Sequence, residues 1–185
     1  MTDTLPRFDP FNGHLPAGWH AATVEAFRRR CVDEFPPHLK PELQRPNEHR
    51  AKMFDGYLKL HAALVALSVP TEQWIGGSFA SGDPAPNDID VVNFCDVRTF
   101  ESLPAELRAM LKPYLDGENT ARHCHCDSHM VAKGPPTHPC NAEYLKMHNF
   151  WHKRLAYDKE QKPRGIIGVF IEATQPEEEA TDAQA

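Results

Sequence analysis

Apolar positions along the chain change their period several times, and each change marks a new element. Val24, Phe27, Cys31 and Phe35 fall at helical spacing within AATVEAFRRRCVDEF, a run closed by Pro36 and Pro37. A longer stripe of Met53, Tyr57, Leu60, Leu64 and Leu67 predicts a helix from about Asn47 to Ser68 that packs on a core. After Pro70 the period shortens. QWIGG and DIDVVNF read as strands, the first ending in glycines and the second opening with acids. A helix fits within TFESLPAELRAMLKPYL, shortened at its two ends by Pro104 and Pro113. RHCHCDSHMVAK alternates as a strand does, NAEYLKMHNFWHKRLAYD reads as a helix with Asn141 as its N-cap, and RGIIGVFIEA as a final apolar strand. LPRFDPFNGHLPAGWH, rich in Pro and Gly, reads as an irregular or short extended entry segment. The order α-α-β-β-α-β-α-β predicts a mixed α/β (α+β) fold, a small twisted sheet of about four strands with flanking helices.

Length and composition narrow this further. A chain of 185 residues, 41% hydrophobic and 25% charged, suits one globular domain with a proper core. Seventeen prolines call for short elements and stiff connections. The expected division is a single domain over residues 1–175 and an acidic, disordered tail over 176–185, where QPEEEATDAQA is polar and structureless in composition. Much of the net charge of −6 is local to that tail, and the sign weighs against a broad nucleic-acid surface. No apolar run reaches the roughly 20 residues of a membrane span, and MTDTLPRFDP has no signal pattern, so the expected setting is cytoplasmic, away from membranes. Five cysteines without a C-x-x-C pair then read as reduced thiols.

The chemistry concentrates in WIGGSFASGDPAPNDIDVVNF. On a strand, Asp88 and Asp90 project from one face while Ile89 and Val91 face the other. Two carboxylates held together near a core repel, and a divalent cation relieves that repulsion. Oxygen ligands suit Mg²⁺ (or Mn²⁺) better than zinc, and a pair of such ions clamps the attacking and leaving oxygens of phosphoryl transfer. Gly76 and Gly77 let the backbone approach a phosphate closely, and Ser78 adds a hydroxyl. A lone D-x-D is usually a solvated strand entry, and Gly-Gly-Ser alone is usually a turn. The informative feature is their combination: strand, Gly77-Ser78, nine residues, Asp88-x-Asp90, apolar strand.

That combination resembles the signature of the DNA polymerase β-like nucleotidyltransferase superfamily. The chain as a whole is similar to a group of small, largely uncharacterised bacterial nucleotidyltransferase-like proteins, through FNGHLPAGWHAAT, WIGGSFASGDPAPNDIDVV and KPRGIIGVFIEA over roughly residues 8–173. The resemblance implies that Gly77 and Ser78 bind the nucleotide and that Asp88 and Asp90 bind metal. It also implies a third carboxylate from a later strand that activates the acceptor hydroxyl. Asp127 is the best match, with Asp116 and Glu118 as competitors in what reads as a loop, LDGEN. One departure is Ser81, which stands where the best-known minimal members often carry an arginine.

The expected function is therefore a metal-dependent nucleotidyltransferase that moves an NMP from an NTP to a hydroxyl of a protein, RNA or small-molecule acceptor. By analogy it would serve a toxin–antitoxin or phage-defence system. The alternative is an inactive nucleotide-binding or protein-interaction module of the same fold. A third reading is a zinc-stabilised protein. In RHCHCDSHMVAK a strand would place His123, His125, Asp127 and His129 on one face, with Cys124, Cys126 and Ser128 on the other. Tyr144, Phe150, Trp151 and Tyr157, interleaved with Lys146, Lys153 and Arg154, suit either core packing or stacking on a nucleotide or RNA.

Overall fold

The computed structural model describes residues 3–36 and 46–172, without the side chains of residues 46, 118, 119 and 121. The tail expected at 176–185 lies outside the described residues. Six strands form one mixed sheet: β1 (Gly18–Ala21), β2 (Thr71–Gly76), β3 (Ile89–Asp96), β4 (Asp116–Gly117), β5 (Cys126–Lys133) and β6 (Gly165–Ile171), in the order β1-β6-β2-β3-β5-β4. The expectation of a sheet of about four strands is thereby corrected. The mixed α/β class with flanking helices holds. The two additional strands are the edges. β1 lies inside the Pro/Gly-rich entry segment and pairs parallel to β6, while β4 is the Asp-Gly of the expected loop LDGEN, antiparallel to β5. At the centre, β2 runs antiparallel to both β3 and β6, and β3 runs parallel to β5.

The sheet separates two apolar layers. On one face the stripe of helix α2 (Pro46–Ala66), with buried Met53, Tyr57, Leu60 and Leu64, meets Ile75, Ile89, Val91 and Ile167. A short helix α1 (Val24–Arg28), continued by a π-helical turn through Asp33, adds Phe27 and Cys31 to that layer. Within it a buried polar ladder crosses three strands. Tyr57 Oη donates to Gln73 Oε1 (2.8 Å), Gln73 Nε2 to Asn93 Oδ1 (2.8 Å), and Asn93 Nδ2 to Ser128 Oγ (2.9 Å). Each buried polar atom of the ladder thus has a partner, which pins the register of β2, β3 and β5. On the opposite face, helix α6 (Asn141–Ala156) packs Trp151 and Leu155 against Trp74, Val92, Phe94, Val131 and Ile166.

Several local expectations are redrawn. The segment 97–115 holds two short α-helices rather than one, α3 (Val97–Ser102), capped by the Asp96 carboxylate, and α4 (Ala105–Leu111), which starts after Pro104 and runs into a 3-10 turn over Lys112–Tyr114. The start of RHCHCDSHMVAK belongs to helix α5 (Glu118–Cys124), and β5 begins only at Cys126. His125, with φ +53, turns the chain between them. Asn141 is the first residue of α6 and not its cap, a position taken by Cys140.

Candidate active site

Gly76 ends β2, and in the antiparallel register it faces Asp90 of β3. Asp90 in turn is the parallel partner of Asp127 in β5. Neighbouring strands lie about 4.8 Å apart, and register partners project from the same face. Ile89 and Val91 point into the α2 layer, as the alternation predicts, which leaves Asp90 and Asp127 on the α6 face. Asp88 stands one residue before β3, half-buried like the other two.

Gly77 follows in the left-handed region (φ +70), and a Cβ there would overlap the Asp90 carboxylate. Two requirements thus select glycine at one position: the backbone conformation and the approach of Asp90. Gly76 is restricted differently, since its Cβ would lie 2.8 Å from the Leu155 side chain of α6. Ser78 is partly exposed at the head of the following turn. Ser81, which stands in the position of the absent arginine, closes that turn by donating from Oγ to the Ser78 carbonyl (2.8 Å). The loop is also held from behind by α2. His49 Nε2 lies 2.8 Å from the Pro86 carbonyl. The buried Arg50 donates to the carbonyls of Cys31, Phe79 and Asp83, with its guanidinium between the Phe35 and Phe79 rings at 4.1 and 4.3 Å. Three carbonyls and two ring faces replace the water that Arg50 lost on burial.

The three aspartates have different electrostatic surroundings. Burial, then the charge of Asp127, raises the Asp88 carboxyl above its ordinary value. Asp90 is raised by burial and by both other aspartates, against the opposing pull of Arg164 and Arg154. Asp127 is lowered, chiefly by His129, whose Nε2 lies 2.8 Å from Asp127 Oδ1. That contact is a charge pair when the imidazole is protonated, and Oδ1 is buried with no aligned hydrogen-bond donor among the described residues. The His129 ring rests on Trp151 with centroids 4.6 Å apart.

A surplus of negative charge on oxygen donors and an incompletely satisfied Asp127 oxygen fit a hard divalent cation in kind. Among the described residues, however, no three His, Cys, Asp or Glu groups converge closely enough to hold one ion. The zinc reading loses its premise as well. His123 lies in α5 and His125 in the turn, so only Asp127 and His129 share a strand face. Of the competitors for the third carboxylate, Asp116 lies in β4 opposite His129, whereas Asp127 is the direct partner of Asp90.

Two arginines border the site, and nothing in the sequence selects either one from the other basic residues. Arg164, just before β6, donates from Nε to the Leu155 carbonyl (2.9 Å) and from Nη2 to the Arg154 carbonyl (3.3 Å), tying off the end of α6. Arg154 is exposed, its guanidinium 5.8 Å from the Trp151 ring centroid. Its signal in the sequence is the interleaving of aromatic and basic residues along this helix, which Lys146 and Lys153 share and which does not single out one residue.

A family of unknown function, DUF6932, matches residues 6–170. The chain belongs to this family. The DUF6932 match takes in Gly77, Ser78, Asp88, Asp90, Asp127, Arg154 and Arg164, and nearly the whole sheet. No curated protein and no solved structure matches the chain. Among the described residues, no helix is long and apolar enough to cross a membrane.

Proposed function

We propose that this chain is a metal-dependent nucleotidyltransferase that moves a nucleoside monophosphate from an NTP to an acceptor hydroxyl. The observation that carries the reading is the packing of the Gly77-Ser78 turn directly against Asp90, itself the register partner of Asp127. A phosphate-seating turn and a set of carboxylates then address the same small volume at one end of the sheet.

In this reading the Ser78 hydroxyl and the backbone amides of the turn bind the triphosphate. Asp88 and Asp90, with Asp127, would hold Mg²⁺ or Mn²⁺, which when bound neutralises phosphate charge and lowers the pKa of a coordinated hydroxyl. Asp127, whose carboxyl His129 holds below its ordinary value, accepts the proton of the acceptor hydroxyl. The acceptor oxygen forms a bond to the α-phosphorus as the bond from that phosphorus to the bridging oxygen breaks, and pyrophosphate leaves with the electron pair. Arg154 and Arg164 offset part of the carboxylate charge, so that an anionic substrate is not simply repelled.

One observation favours a second reading. Asp127 is engaged by His129, whose Nε2 lies 2.8 Å from its Oδ1. This arrangement suits a module that binds a nucleotide without turning it over. The two readings part in one experiment. Purified protein is incubated with each α-labelled NTP, Mg²⁺ or Mn²⁺ and a cell extract, with Asp88→Asn and Asp90→Asn as controls. Label on an acceptor, with pyrophosphate release lost in both variants, supports the transferase. NTP binding with no release under any condition leaves the module.

A further inference from the structure

The loop from Gly77 to Asp88 contains no lysine or arginine, so a triphosphate seated there needs a cation from elsewhere in the fold. Arg50 lies behind that loop, fully buried, with its donors committed to backbone carbonyls. Arg164 is committed in the same way to the last carbonyls of α6. Lys133 and Lys162 are paired with Glu72 (2.9 Å) and Glu160 (2.6 Å). Arg154 differs from all of these: it is exposed and has no hydrogen-bond or ion-pair partner for its guanidinium among the described residues.

Its position follows from the packing of α6. One residue on, the Leu155 side chain lies against Gly76, the register partner of Asp90. Three residues back, Trp151 lies against His129, which reaches Asp127. The last turn of α6 is therefore anchored over both carboxylate strands, and Arg154 projects from it. Its charge is felt at Asp88, Asp90 and Asp127 alike.

We infer that Arg154 is the side chain that grips the terminal phosphates of a nucleoside triphosphate bound at the Gly77-Ser78 turn. This rests on the nucleotide reading of the site and adds a residue to it. A planar guanidinium offers two parallel donors to phosphate oxygens, and the α-phosphate remains with the carboxylate end of the site. Arg164 stays in place as a support, holding the helix end from which Arg154 reaches out.

The test is titration calorimetry with ATP, GTP, CTP and UTP in Mg²⁺, and with the monophosphate of each, on wild type, Arg154→Ala and Arg154→Lys. Circular dichroism should show an unchanged fold for both variants, because Arg154 is exposed. For any triphosphate that wild type binds, Arg154→Ala should weaken binding about 10- to 100-fold and Arg154→Lys by less. Binding of the matching monophosphate should change by less than about twofold, since it has no terminal phosphates to lose. Affinity for Mn²⁺ alone should hold or rise in Arg154→Ala, because a nearby positive charge is gone. Equal triphosphate affinity in wild type and Arg154→Ala overturns the assignment of Arg154 and leaves the nucleotide reading intact. Equal loss of mono- and triphosphate, or a fall in Mn²⁺ affinity, also overturns it. A wild type that binds none of the four triphosphates removes the nucleotide reading itself.

Discussion

Gly77 and Asp90 share a space with no room for one more carbon. A Cβ on Gly77 would overlap the Asp90 carboxylate, and Gly77 also sits at a φ that only glycine adopts readily. The turn that ends β2 and the acid that opens β3 are thus a single unit. Asp127 joins that unit through the parallel pairing of β3 and β5.

Gly77→Ala should therefore cost more than a loop substitution ordinarily does. Forcing alanine into the left-handed region costs roughly 1–2 kcal/mol, and displacing Asp90 adds to that. Urea unfolding should show a loss of about 2–3 kcal/mol, and calorimetry should show lost triphosphate binding. An alanine variant as stable as wild type would mean that Asp90 does not occupy this position in solution.

Arg50 supports the same turn from the other side of the sheet. Arg50→Met keeps bulk between Phe35 and Phe79 but leaves the carbonyls of Cys31, Phe79 and Asp83 without a donor. Unsatisfied buried carbonyls cost about 1–3 kcal/mol each, less where the freed loop can turn to water. The expected loss is about 2–4 kcal/mol by denaturant titration, together with faster amide exchange at Phe79–Asp83. Exchange unchanged in that loop would show that it is held by other contacts.

The long-period and short-period apolar patterns were the legible part of this fold. The α2 stripe, β2, β3, α6 and β6 all come from runs whose periodicity survives in the structure. The edges were not legible. β1 is a four-residue strand, GWHA, with no alternating apolar set, and it exists because β6, near the other end of the described chain, offers it a parallel partner. The strand pattern in RHCHCDSHMVAK was misleading at its start, because His125 adopts the left-handed region, uncommon for any residue but glycine, and splits α5 from β5. At the site, Asp88 and Asp90 were found from spacing within one segment. The alternation of β5 sets His129 beside Asp127, whereas Arg50 and Arg154 come to the site through helix packing, which no local pattern encodes.

The ladder on the α2 face gives a separate handle on stability. Asn93 is fully buried and bonds Gln73 on one side and Ser128 on the other. Asn93→Leu keeps the branching at Cγ but strands the Gln73 amide and the Ser128 hydroxyl. The variant should lose about 2–3 kcal/mol in urea, and Gln73→Leu should cost less in that background than in wild type, because the Gln73 amide has already lost its partner. Strictly additive losses in the double variant would show that the two side chains do not act as a network.

Asp90 makes stability depend on both pH and metal. Its carboxyl is raised in the folded chain by burial and by the charges of Asp88 and Asp127. In cation-free buffer the folded state thus holds that proton more tightly than the unfolded state does. Stability should fall as pH rises from the ordinary carboxylate value through the raised one, and stay low above it. Asp127, which is lowered, acts in the opposite sense: its contribution is present above the ordinary value and lost as pH falls through the lowered one. Asp90→Asn removes the first effect and leaves the second. Near neutral pH without metal the variant should melt about 2–4 °C higher than wild type, equivalent to about 1 kcal/mol for a chain of this length. The two melting curves should converge in acid, where Asp90 is protonated in either state. Adding Mg²⁺ should raise the wild type more than the variant, because binding to the folded state alone stabilises it and a neutral amide is a poorer ligand than a carboxylate. Parallel pH profiles, or equal gains from Mg²⁺, would show that Asp90 is neither repelled by its neighbours nor a metal ligand, and would dismantle the carboxylate site as drawn.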